Sequence, residues 1–191
     1  MYWKVLLLAA LIVGASVPSC CQVVAPVEVP GLPLNVGVAY SNFDSDLDGR
    51  ISGITAWADW HFYRAPSYLR RLGIELEGRD LNFGRTGNMP NLRFDTIAAG
   101  PIYTFRFHHK FLPYGKFLFG YGSVDFKSSI PTYSHDSRTI YAPAGGLDYR
   151  LTRSIWLRGD YEYQFWPNLL QANHYLSPNG FSIGASYDFH H

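Results

Sequence analysis

Apolar and polar residues alternate one for one along eight separate stretches of this chain, and that pattern constrains its fold more than any other feature. The final stretch, Gly180–Phe189 (GFSIGASYDF), carries it over its whole length. Phe181, Ile183, Ala185, Tyr187 and Phe189 share one face, and Ser182, Gly184, Ser186 and Asp188 share the other. A period of two belongs to a strand, whose successive side chains leave opposite faces of the pleat. About ten residues is also the length at which a tilted strand crosses a bilayer. Lipid outside and a polar lumen inside sort residues in this way; taken alone, the segment fits equally well an edge strand of a soluble sandwich.

Seven upstream stretches repeat the pattern. Leu34, Val36, Val38 and Tyr40 oppose Asn35, Gly37, Ala39 and Ser41; Ile54, Ala56, Ala58, Trp60 and Phe62 oppose Thr55, Trp57, Asp59 and His61. Leu72, Ile74 and Leu76 oppose Glu75, Glu77 and Arg79, and Ile97, Ala99, Tyr103 and Phe105 oppose Thr96, Ala98, Thr104 and Arg106. Phe117, Phe119 and Tyr121 stand against Tyr114, Lys116 and Gly120, and, less regularly, Tyr141, Leu147 and Tyr149 against Arg138, Asp148 and Arg150. Ile155, Leu157, Tyr161, Tyr163 and Phe165 face away from Trp156, Arg158, Asp160, Glu162 and Gln164. An even number of antiparallel strands can close on itself, and closure is what satisfies strand backbones in lipid. The spacing predicts short connections after the second, fourth and sixth strands and long ones, rich in Gly, Pro, Asn and Ser, after the first, third, fifth and seventh. Pro101 and Pro143 fall inside strands, where each removes a ladder hydrogen bond, so a bulge is expected at each. Trp60, Tyr63, Tyr103, Tyr149, Trp156 and Trp166 lie near strand ends, the depth of an interfacial aromatic belt.

The ends of the chain fit the same architecture. Residues 1–21 form a secretory signal peptide: Lys4 precedes an apolar run that is too short to span a membrane, and small residues follow, with cleavage between Ser19 and Gln22. Cys20 and Cys21 are the only cysteines. The rest of the chain therefore has no disulfide or thiolate metal site, and only cleavage before Cys20 would leave an acylatable thiol. Residues 22–33, with three prolines, are an extended lead-in to a domain over 34–189. At the other end, Gly184-x-x-Tyr187-x-Phe189 resembles the C-terminal assembly signal of bacterial outer-membrane β-barrels, although Ile183 and the trailing His190–His191 depart from it. In strand number, loop alternation and end signal, residues 34–189 resemble the eight-stranded OmpA/OmpX-type barrel. The resemblance implies an all-β, up-and-down antiparallel barrel in the outer membrane. It further implies contact with membrane lipid and lipopolysaccharide, insertion by the barrel-assembly machinery, a monomer, no cofactor, and a structural or surface-interaction role. A formal charge of +1 gives no electrostatic reason to expect nucleic acid.

Eight strands enclose a lumen that side chains can fill. Its proposed residues include the acids Asp59, Glu75, Glu77, Asp148, Asp160, Glu162 and Asp188 and the bases Arg79, Arg106, Lys116, Arg138, Arg150 and Arg158. Such near balance predicts an ion-paired plug rather than the single-sign ring of a selective channel or a pair of catalytic carboxylates. A small passive pore is the alternative. Asp44-x-Asp46-x-Asp48-Gly49 resembles the front half of an EF-hand loop, but its twelfth position is Thr55, and a solvated acidic turn explains it better than calcium. His135-x-Ser137, with Asp136 or Asp148 as the acid, has the spacing of lipid A deacylases but sits in a polar loop; His174-x-x-Ser177 is spaced worse. His108–His109 and His190–His191 are read as solvated ends. The chain is read as non-enzymatic.

Overall fold

The computed structural model describes residues 32–189 apart from 47–48, 63–65, 67–68, 87–91, 106–109, 126–134 and 170–173. The strands are β1 (Leu34–Asp44), β2 (Arg50–His61), β3 (Leu72–Thr86), β4 (Arg93–Thr104), β5 (Phe111–Asp125), β6 (His135–Arg150), β7 (Ile155–Tyr163), β8 (Trp166–Leu169), β9 (His174–Leu176) and β10 (Asn179–Asp188). Eight of them close an antiparallel barrel in the order β1-β10-β7-β6-β5-β4-β3-β2, and β8–β9 form a separate two-stranded hairpin. This is the all-β up-and-down barrel implied by the alternation. Residues 1–21, expected from the sequence to be a leader, lie outside the described residues.

The two faces separate as the two-residue period requires. Val38, Ile97 and Ile183 point outward and stay 55%, 60% and 63% exposed, with aromatic and aliphatic neighbours around the whole waist. So continuous an apolar surface is stable against lipid, not water. Among the described residues no helix is long and apolar enough to cross a membrane.

Closure depends on the seam between the first and last strands. β1 and β10 pair from Asn35↔Asp188 to Asp44↔Asn179 without a shift. A Cβ added at Gly184 would lie 2.1 Å from the Val38 carbonyl oxygen and 2.5 Å from the Ala39 Cα, so this position admits only hydrogen. Gly184→Val should weaken or prevent closure. The expected readout is a larger fraction of protein whose gel migration no longer changes on boiling, whereas Ala185→Val, on the outward face, should leave the shift intact.

Two expectations are corrected. Neither Pro101 nor Pro143 forms a bulge: β4 and β5 pair at Ala99↔Phe119 and resume at Ile102↔Lys116 in the same register, and Phe117↔Pro143 lies within an unbroken β5–β6 ladder. Leaving a pair open costs a hydrogen bond, but inserting a residue would move every later side chain to the wrong face. The shift occurs instead where β2 meets β3 at Ile51–Gly53, near the end of both strands, and Asn82 and Phe83 are then exposed in succession. Loop lengths do not alternate throughout either. The β1–β2 connection is only 45–49, closed by Ser45 Oγ donating to the Gly49 carbonyl at 2.8 Å, whereas β2–β3 spans 62–71. Here β1 and β2 run on into what reads as loop, because Ile51 and Phe43 find apolar neighbours inside the barrel.

Candidate functional site

Among the described residues the lumen concentrates the buried charged groups, and it is filled in two layers. Towards the end where β1 begins and β10 finishes lies the charged layer. Arg158 is its hub: Nε donates to Asp148 Oδ1 at 2.8 Å, Nη1 to Glu75 Oε2 at 2.8 Å and Nη2 to Asp59 Oδ2 at 2.7 Å. Its guanidinium lies between the rings of Trp57 and Tyr114, 4.8 and 4.6 Å from their centroids. Lys116 Nζ donates to Glu75 Oε1 and Glu77 Oε2, both at 2.6 Å, and lies 3.4 Å from Asp160. Arg79 binds Glu77 and Glu162 at 2.6 Å each and donates through Nε to Thr55 Oγ1 at 2.8 Å. Tyr114 donates to Asp160 at 2.8 Å. These groups come from β2, β3, β5, β6 and β7, and each side chain is placed by inward parity on a strand that could not rotate without exposing lipid-facing residues.

Above this layer the filling turns apolar. Phe43, Ile51, Leu81, Phe94, Leu118, Val124, Ile140, Trp166 and Leu176 form one buried cluster. Trp166 is fully buried, meets Phe94 edge-on at 5.7 Å, and occupies the space a Gly122 side chain would need. A hydrogen-bond chain joins the two layers: Trp166 Nε1 donates to Gln164 Oε1 at 2.8 Å, and Gln164 Nε2 donates to Glu162 Oε1 at 2.7 Å. The sequence reading places Trp166 in an interfacial belt; the structure corrects this, because 158, 160, 162, 164 and 166 share one inward parity. The apolar layer has the same signal, legible by projecting each strand's parity two to four residues towards the long loops.

The remaining predicted lumen residues separate by position. Asp188 is half-buried at the end of β10. Arg150 does not join the network: it is exposed at the β6–β7 turn and donates to the carbonyls of Thr152 and Arg153 at 3.2 and 3.4 Å. It has inward parity but is the last residue of its strand, so the nearest acceptors are turn carbonyls. Arg138 stands at the opposite end, paired with Asp136 at 3.2 Å and 31% exposed. Arg106 lies outside the described residues.

Elsewhere the candidates do not assemble. Asp44 Oδ1 accepts the Asp46 amide at 3.1 Å and Asp46 Oδ2 accepts the Ser177 amide at 2.9 Å, so Asp46 fastens the first loop to the β9–β10 connection. Asp48 lies outside the described residues, and among those described no three His, Cys, Asp or Glu converge on a metal position. Asp148 cannot serve His135 and Ser137: it is eleven residues along the same strand from Ser137, ~36 Å at strand rise, and it is bound to Arg158. Asp136 instead accepts the Ser137 amide at 2.9 Å. His108, His109, His190 and His191 lie outside the described residues. Both rings of the tail signal point outward, with Tyr187 and Phe189 packed 4.9 Å apart.

Comparison with known proteins places this geometry. The family model described as "outer membrane protein beta-barrel domain" matches residues 5–189. Among solved structures, neisserial surface protein A superposes with a TM-score of 0.63 at 14% identity, covering 82% of this chain and 96% of that one. Ail, the attachment invasion locus protein of Yersinia pestis in complex with the heparin analogue sucrose octasulfate, gives 0.53 at 21% identity, over 82% and 96%. No curated protein sequence matches the chain.

Proposed function

Since this chain belongs to the family of outer membrane protein beta-barrel domains, we propose that it is a non-enzymatic structural and surface-contact protein, sealed to solutes, with its long-loop end outside the cell. It is an outer-membrane protein; the finer role rests mainly on how the lumen is filled. What supports it is that, among the described residues, ion pairs from five strands cross the lumen and an apolar layer that includes Trp166 lies above them. A passive pore would need an open, water-filled polar path through the lumen.

The surface available for contact is then the lipid-facing waist and the long-loop end. At the latter, Tyr175 on the β8–β9 hairpin is 75% exposed, the arrangement of an aromatic available to an external partner. The waist would meet outer-membrane lipid and lipopolysaccharide as a monomer. Gly184, Tyr187 and Phe189 would be read by the assembly machinery before the β1–β10 seam closes. No cofactor enters this reading. Planar-bilayer recording of the purified protein tests it. The expected trace shows no unitary conductance steps; reproducible steps from folded, heat-modifiable protein would replace the sealed barrel with the passive pore.

A further inference from the structure

Six carboxyls share the buried lumen with three bases. Asp59, Glu75, Glu77, Asp148, Asp160 and Glu162 are all buried, as are Arg79, Lys116 and Arg158. Were all ionised, these described buried residues would carry a formal charge of −3. Each base already binds two or three carboxylates. Hydrogen bonding within the set is therefore exhausted, and buried charge left over is retained only if something neutralises it.

The geometry shows where. Glu75 uses one oxygen to accept Lys116 and the other to accept Arg158. Its cross-strand neighbour on β2 is Asp59, and the same Arg158 guanidinium binds both carboxyls. Asp59 Oδ1 is buried and has no donor, and the same holds for Asp160 Oδ1. Two carboxyls that meet with no donor between them need a proton. Beside them Trp57 Nε1 and Ser186 Oγ, on residues 4% and 5% exposed, also lack partners, so this end of the lumen holds polar groups that water can satisfy. The charged and titratable groups facing the pair are His61 on β2, Glu77 and Arg79 on β3, Tyr114 and Lys116 on β5, Asp148 on β6, Arg158 and Asp160 on β7, and Asp188 on β10.

We infer that the lumen is a proton-binding site: the surplus of buried carboxyls over bases is discharged by protons held at neutral pH, the Asp59–Glu75 pair holding the first. The folded barrel then binds protons that the unfolded chain releases. Where the native state binds more protons than the unfolded state, stability falls as pH rises, and the folding equilibrium constant drops about tenfold per pH unit for each excess proton. Histidines titrate near an ordinary value of ~6.5 and an α-amino group near ~7.7–8.0, so the carboxyl contribution above neutrality is the part that Glu75→Gln removes. This goes beyond the surface-contact reading and is read independently of it, since carboxyl protonation reports on neither conductance nor the loops.

The test is carbon-13 NMR of the wild-type barrel in micelles, labelled at Asp and Glu carboxyls. The expected spectrum at pH 7 contains carboxyl resonances at protonated positions, one of which disappears in Glu75→Gln. Urea unfolding in lipid vesicles between pH 7 and 9 should show the tenfold loss per unit per proton. Fully ionised carboxyls at pH 7 would overturn the inference. So would stability that is flat or rising over that interval, or stability restored at pH 9 by sodium but not by choline, which would assign the neutralising role to a metal cation.

Discussion

Replacing Arg158 with alanine should lower the folding free energy by about 3–5 kcal/mol, the range for breaking a buried ion pair from one side. The side chain binds three carboxylates from three strands, on Asp59, Glu75 and Asp148, and its guanidinium is sandwiched between two aromatic rings. Removing it leaves three buried carboxyls without their shared cation. Equilibrium urea unfolding in vesicles measures the loss, and the position of the cation decides its size. Arg93 makes bridges of similar length to Asp80 and Asp95, at 3.0 and 2.9 Å, but all three side chains are a third to a half exposed. Arg93→Ala should therefore cost about 0–1 kcal/mol. The Arg158 deficit should shrink at pH 5, because protonation is the remaining way to discharge the stranded carboxyls. An Arg158→Ala barrel as stable as Arg93→Ala would mean that the lumen is hydrated enough to screen its charges, and the two-layer seal would have to be abandoned.

Trp166→Ala should cost about 3–5 kcal/mol, the range for emptying a large, fully buried aromatic site. The ring packs edge-on to Phe94, fills the notch above Gly122, and its N–H continues the chain through Gln164 to Glu162. Gly122 cannot move in to close the space, because it belongs to a ladder paired on both sides. Trp166→Phe keeps most of the packing and leaves the buried Gln164 oxygen without its donor, for about 1–3 kcal/mol. Neither variant should conduct in a planar bilayer, since the charged layer below is intact. Conductance in Trp166→Ala alone would show that the apolar layer is the only seal.

Much of the barrel was legible because one constraint repeats along it. A strand between lipid and lumen has two solvents, so Ile183 and Ser182 announce their faces without any knowledge of their neighbours. The same rule marked Glu75, Glu77, Arg79, Arg158 and Glu162 as inward. It would have marked Phe43, Ile51, Leu81 and Trp166 as well, had the strands been followed past the apparent loop boundaries. Those boundaries misled because turn-forming residues such as Asn42 and Ser52 continue the ladder when a paired strand supports them; here Asn42 donates to Ser52 Oγ at 2.8 Å across β1 and β2.

Taken by itself, the sequence determined the strand number, the faces, and therefore the membrane as the only solvent that accepts the outer one. Those follow from local periodicity and the obligation of every backbone group in lipid to be paired. Tertiary structure alone decided which charges meet. Arg79 and Glu162, or Lys116 and Glu75, become partners only when strands far apart in sequence face each other across a closed lumen. Parity cannot say that Arg150 turns to the β6–β7 carbonyls and Arg138 to Asp136, which leaves three more acids than bases among the described buried lumen residues. Which face a residue takes is set by its neighbours two places away; how deep it sits, and what it binds there, is set by barrel closure and stagger.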